Sequence, residues 1–158
     1  MGEGMMQGYV MGATDGEHMV QRSGEIVIKV DPSRSSNDLS LGTQLMPLGI
    51  GVPRHVHAHW DEMIYVLDGS GFITLNDERL PIQKGATMFV PKGTWHGFEN
   101  PDSELFVLWM ANSPGQAEFF RAISSRPGEP AKDLSREEVL AIRQQVEADH
   151  VKRVRSES

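Results

Sequence analysis

The feature that most constrains this chain is the spacing of its histidines: four of six lie between Gly49 and Asn100, and three of these, His55, His57 and His59, occupy every second position. Alternate residues of a β-strand point to the same face, so this spacing predicts a strand presenting its imidazoles to one side. Glu62 has the opposite parity. It joins the imidazoles only if the strand breaks over residues 58–61 and the chain returns as a second strand, for which residues 63–67, rich in β-branched and aromatic side chains, are suited. The run Asp68-Gly69-Ser70-Gly71 then reads as a turn. Further on, Val90-Pro91-Lys92-Gly93 is a turn leading into a strand that carries His96. Three imidazoles and one carboxylate form a borderline donor set, better suited to a divalent first-row transition metal than to calcium or magnesium.

The spacings extend beyond these four residues. Gly49, five residues, His55-x-His57, four residues, Glu62, six residues and Gly69 form one pattern; Gly85, five residues, Pro91-x-Gly93, two residues, His96, three residues and Asn100 form another. Together they resemble the two motifs of the cupin family at every fixed position, and the resemblance covers about residues 39–111. It implies an all-β fold, a jelly-roll barrel or double-stranded β-helix, with one metal held by His55, His57, Glu62 and His96. The motif glycines, Pro91 and Asn100 have a geometric role in this reading, in turns and strand entries.

A chain of 158 residues fits one domain. Residues 25–111 are expected to form the barrel, preceded by a segment 1–24 with an edge strand near residues 8–12. Residues 112–158 are expected to form a helical extension with a disordered tail from residue 151. Short apolar runs separated by turn residues predict strands at 24–30, 39–46, 71–76, 79–83, 86–90, 95–99 and 104–110, with a hairpin at Asn76-Asp77-Glu78. Past Ala111 the pattern becomes helical. Pro114 opens a helix to Ile123, and a capping box of Ser135 and Glu138 starts a second whose apolar stripe is Val139, Ile142 and Val146.

The net charge of −7 without a long basic run argues against nucleic acid and anionic membranes as partners and leaves a small molecule. Without cysteine there is no disulfide framework. No signal-like segment and no apolar run of membrane length is present, so the cytoplasm is the expected compartment. Exposed barrel edges and the resemblance to small cupins imply a homodimer.

Four protein ligands on an octahedral metal leave two coordination positions for substrate. The favoured reading is a dioxygenase acting on a small enolisable or aromatic compound, with Fe(II) as its metal and Mn, Ni, Co or Zn as alternatives. A metal-dependent isomerase or lyase of a sugar or organic acid, or a non-catalytic sensing cupin, are the competing readings. Glu62 and His59 are the catalytic candidates. Gln44, Met46, Phe98 and Trp109 are candidates for the substrate pocket, with Tyr65, Met88, Trp95 and Phe106 as further possible walls.

Overall fold

The computed structural model describes residues 7–35 and 38–156. Nine strands run β1 (Glu17–Gln21), β2 (Gly24–Val30), β3 (Ser40–Met46), β4 (Val52–His55), β5 (Glu62–Leu75), β6 (Glu78–Gln83), β7 (Thr87–Val90), β8 (His96–Glu99) and β9 (Leu105–Ala111). Helices α1 (Gly115–Ile123) and α2 (Arg136–Ser156) follow. The fold is mostly β, a curled antiparallel sheet in the order β1-β2-β3-β9-β5-β8-β4, with β6 and β7 also paired to β5. Residues 8–12 form no strand; the edge strand is Glu17–Gln21. Its alternation turns Met19 and Gln21 inward against β2, whereas Val10 is exposed.

Strand β5 holds the barrel together, because its first half pairs with β7 and β9 and its second half with β6 and β8. The expected turn at residues 68–71 is therefore not a turn. The chain continues as one strand that bends, with a register shift between Val66 and Asp68. Gly69 and Gly71 serve close approach: a Cβ on Gly69, at φ +87°, would lie 2.0 Å from the Glu104 carbonyl oxygen, and one on Gly71 2.3 Å from that of Glu99. The actual turn is Asn76-Asp77, with Asn76 at φ +51° and Leu75 facing Glu78, as a two-residue hairpin demands.

Residues of even number on β3 and on β5 as far as Val66, and of odd number on β9, face the interior: Gln44 and Met46, Glu62, Ile64 and Val66, Leu105, Val107 and Trp109. Beyond the register shift the inward parity of β5 changes to odd, at Ile73. Helix α1 closes one end by burying Ala117, Phe119 and Phe120 in the same core. Helix α2 begins at the expected capping box, where Glu138 N–H donates to Ser135 Oγ at 3.1 Å and Ser135 N–H to Glu138 Oε2 at 2.8 Å. Val139, Ile142 and Val146 pack against the core. The expected disorder from residue 151 does not hold for residues 151–156, which are helical. Arg153 anchors that last turn by donating to both oxygens of Glu118, at 2.6 and 2.9 Å. Residues 157 and 158 lie outside the described residues. No helix among the described residues is long and apolar enough to cross a membrane.

Candidate metal centre

The four candidate ligands arrive from separate elements. His55 is the last residue of β4, Glu62 the first of β5 and His96 the first of β8, whereas His57 lies in the loop between β4 and β5. The expected single strand through His55, His57 and His59 thus ends at His55. His57 is carried inward by the loop, whose own backbone is tied down where Gly93 N–H donates to the His57 carbonyl at 2.7 Å. One ligand atom from each of the four residues lies within 4.8 Å of all the others. His57, Glu62 and His96 are buried, and His55 keeps partial solvent contact, which makes its side of the cluster the open one.

Backbone carbonyls fix which imidazole nitrogen faces inward. His55 Nδ1–H donates to the Pro53 carbonyl at 2.8 Å and His96 Nδ1–H to the Thr94 carbonyl at 3.0 Å, so each ring turns its Nε2 toward the cluster. His96 Nε2 then stands 3.2 Å from Glu62 Oε2. His57 Nε2 lies 3.3 Å from the same oxygen, out of line for a hydrogen bond, and has no hydrogen-bond partner among the described residues. Imidazole nitrogens and a carboxylate oxygen that converge in this way could hold a cation between them, and the nitrogen-rich donor set fits a first-row metal.

The local electrostatics favour neutral rings at His55 and His57 beside an ionised Glu62. Burial, then the charge of Arg143 and the neighbouring imidazoles, push His55 well below its ordinary value. Burial likewise lowers His57, against the opposing pull of Glu62. Burial alone would raise Glu62, but the contacts from His57 and His96 outweigh it and hold the carboxyl well below the usual range. Neutral imidazoles beside an ionised carboxylate are what metal binding requires.

Residues 42–111 match the family described as the cupin domain. The chain carries a cupin domain. Its barrel resembles that of KdgF from Halomonas sp., with a TM-score of 0.59 and 19% identity over 66% of this chain and 93% of that one. It is equally similar to a protein of Thermotoga maritima described as a predicted oxalate decarboxylase, with a TM-score of 0.59 and 22% identity over 66% of this chain and 99% of that one. Uncharacterized protein MJ1618 of Methanocaldococcus jannaschii is 36% identical over 61 residues, which take in 39% of this chain and 49% of that protein. The match thus spans about half the length of that relative.

Within this cupin domain the pocket candidates fall at different depths. Phe98 and Trp109 are buried two residues from His96 and Ala111, and Ala111 is the cross-strand neighbour of Glu62. They form a layer about 7 Å beneath the ligands. Gln44 and Met46 point inward too, but they sit opposite Val107 and Leu105, toward the other end of β9 from Ala111. Gln44 spends its amide N–H on the Ser23 carbonyl at 3.2 Å. Tyr65 and Trp95 are exposed, at 42% and 46%, and Phe106 is half-buried on the outward parity of β9. The His59 ring is exposed and stands 4.0 Å from Glu147, outside the cluster.

Three residues flank the cluster that the sequence reading did not single out. Trp60 is buried and stacks on His57, with ring centroids 5.1 Å apart. Gln116 of α1 donates from Nε2 to Glu62 Oε1 at 3.4 Å. Arg143 of α2 is buried, lies over the Phe119 ring at 3.9 Å and donates from Nη1 to His57 Nδ1 at 3.1 Å. Burial pushes its guanidinium down to about 10, against Glu62 and Glu147, so it is charged at neutral pH. One signal was present: Arg143 lies four residues after Val139 and three before Val146, a charge inside the apolar stripe.

Proposed function

We propose that this cupin binds one divalent transition metal through His55, His57, Glu62 and His96 and acts on a small molecule that meets the metal directly through oxygen. The observation that carries this reading is the convergence of four ligand atoms within 4.8 Å, three of the four residues being buried. When bound, such a metal supplies Lewis acidity and, as Fe(II), electrons for dioxygen. The chain's own residues do the rest: Pro53 and Thr94 carbonyls orient two imidazoles, Glu62 supplies the anionic donor, and Trp60, Phe98 and Trp109 exclude water from the inner side. The favoured reaction is oxidative cleavage of an enolisable or aromatic compound, in keeping with that apolar layer. A second reading, an isomerase or lyase of an organic acid, is favoured by one observation, the buried guanidinium of Arg143 beside the cluster.

Elemental analysis of protein purified without added metal tests the centre itself. Near-zero content with none regained on adding Fe, Mn, Ni, Co or Zn refutes it. Oxygen uptake by the iron-loaded protein with β-dicarbonyls or catechols supports the dioxygenase. Turnover of organic acids without oxygen uptake supports the second reading. Ligand-induced shifts in melting temperature without any turnover point to a sensing protein. We also propose a homodimer, since Met63, Tyr65 and Phe89 leave an exposed apolar outer face on β5 and β7. A monomer by light scattering at tens of micromolar refutes it.

A further inference from the structure

Glu62 uses its two oxygens differently. Oε2 faces the imidazole nitrogens of His57 and His96, whereas Oε1 accepts from the Gln116 amide. A carboxylate only accepts, so the amide must turn its NH2 toward Glu62 and its carbonyl away. Gln116 is 3% exposed, and that carbonyl oxygen has no hydrogen-bond partner among the described residues. Native structures rarely bury an amide oxygen without a donor. The neighbouring inward residues of α1, Ala117, Phe119 and Phe120, carry no side-chain donor. The buried indole N–H groups of Trp60 and Trp109 make no bond to it either, which leaves a molecule entering the site as the source of the donor.

We propose that Gln116 is a specificity residue of the metal site. Its NH2 occupies Glu62 Oε1 and so commits the carboxylate to the cluster through Oε2, while its carbonyl accepts a hydrogen bond from a hydroxyl of the ligand. The site therefore favours compounds bearing an O–H beside the oxygen that meets the metal, the chemistry of 2-hydroxy acids and of enols. The inference rests on the metal reading above, and it narrows the substrate class for the oxygenase and lyase readings alike.

The test uses Co(II)-loaded protein titrated with glycolate and with methoxyacetate, which carry the same carboxylate and differ in whether the second oxygen bears a proton. Wild type should bind glycolate about tenfold more tightly, the weight of one buried hydrogen bond. In Gln116→Met the ratio should fall to within about twofold of unity, with Co(II) retained. Gln116→Ala, which adds no bulk, serves as the second variant if the first does not fold. A merely structural role for Gln116 would weaken both ligands alike and leave the ratio unchanged. Failure of wild type to hold Co(II) overturns the metal reading and this inference with it. Retained Co(II) with the same ratio in wild type and variants, or no preference in wild type, overturns the role of Gln116 alone.

Discussion

Replacing Arg143 by Met should tighten metal binding, an unusual outcome for a residue in contact with a ligand. The guanidinium has only donors, so the bond from Nη1 to His57 Nδ1 makes that nitrogen the acceptor and places the ring proton on Nε2, the edge facing Glu62. A metal ligated through Nε2 would require the proton to sit on Nδ1, donor against donor, so Arg143 must withdraw. Charge acts in the same direction. A dication at the far edge of the ring lies on the order of 7 Å from the guanidinium, and two charges against one then repel by roughly 5 kcal/mol at an effective dielectric of about 20. Glu147, with 12% of its side chain exposed and pulling on Arg143, cancels part of this. Solvent reaching the cluster past His55 screens more. A residue of about 1.4–3 kcal/mol remains, or ten- to a hundredfold in affinity. Met keeps the volume over Phe119 and continues the apolar stripe, so the metal-free variant should melt no lower than wild type. The assay is competition for Zn(II) against a chromophoric chelator, with thermal melts of the metal-free proteins alongside. Equal or weaker Zn(II) binding by Arg143→Met refutes the reasoning.

Glu62→Gln keeps the side-chain volume and should leave a cooperative melt while lowering metal affinity by at least about a hundredfold; calorimetric titration matching wild type would refute this. Asn100 accepts from Gly51 N–H and donates to the carbonyls of Met46, Pro47 and Ser103, at 2.8 to 3.2 Å. Asn100→Ala should therefore cost about 2–4 kcal/mol in urea unfolding, and a loss under about 1 kcal/mol would count against that pinning role. Burial raises Asp31, but hydrogen bonds from Ser33 and Arg121 outweigh it and hold the carboxyl below its ordinary value. Its stabilising share is then present above the unfolded-state pKa and lost as pH falls through the lower folded one. Asp31→Asn should flatten the fall in stability below about pH 4, and an acid melt profile unchanged from wild type would refute this.

What was legible in the sequence followed from local rules. Parity and turn chemistry placed the strands to within a residue or two at most positions, because strands such as β1, β7 and β9 alternate against a buried face and β3, β5, β7 and β8 end just before a Pro or Asn. The same rules failed where tertiary contact overrode them. Asp68-Gly69-Ser70-Gly71 has the composition of a turn, yet its glycines serve to let the Glu104 and Glu99 carbonyls approach, and β5 runs straight through. Parity also gives a face and not a depth. Gln44 and Met46 do point inward, but strand register against β9 puts them toward the far end from Glu62. Register is set by pairing between segments some sixty residues apart, which no local pattern encodes.

The two helices carry the part of the site that the motifs do not. The barrel strands bring the ligand atoms together, and backbone carbonyls aim two of the imidazoles. Two further contacts come from outside the cupin spacing: Gln116 on α1 occupies one oxygen of Glu62, and Arg143 on α2 occupies the outer nitrogen of His57. Both are polar side chains on otherwise apolar helix faces, at places where burying them would be unfavourable without a partner. The partners are the ligands themselves. A fold shared by many chemistries leaves function to such contacts, and in this chain they act on the two ligands, Glu62 and His57, whose inward atoms no backbone carbonyl fixes.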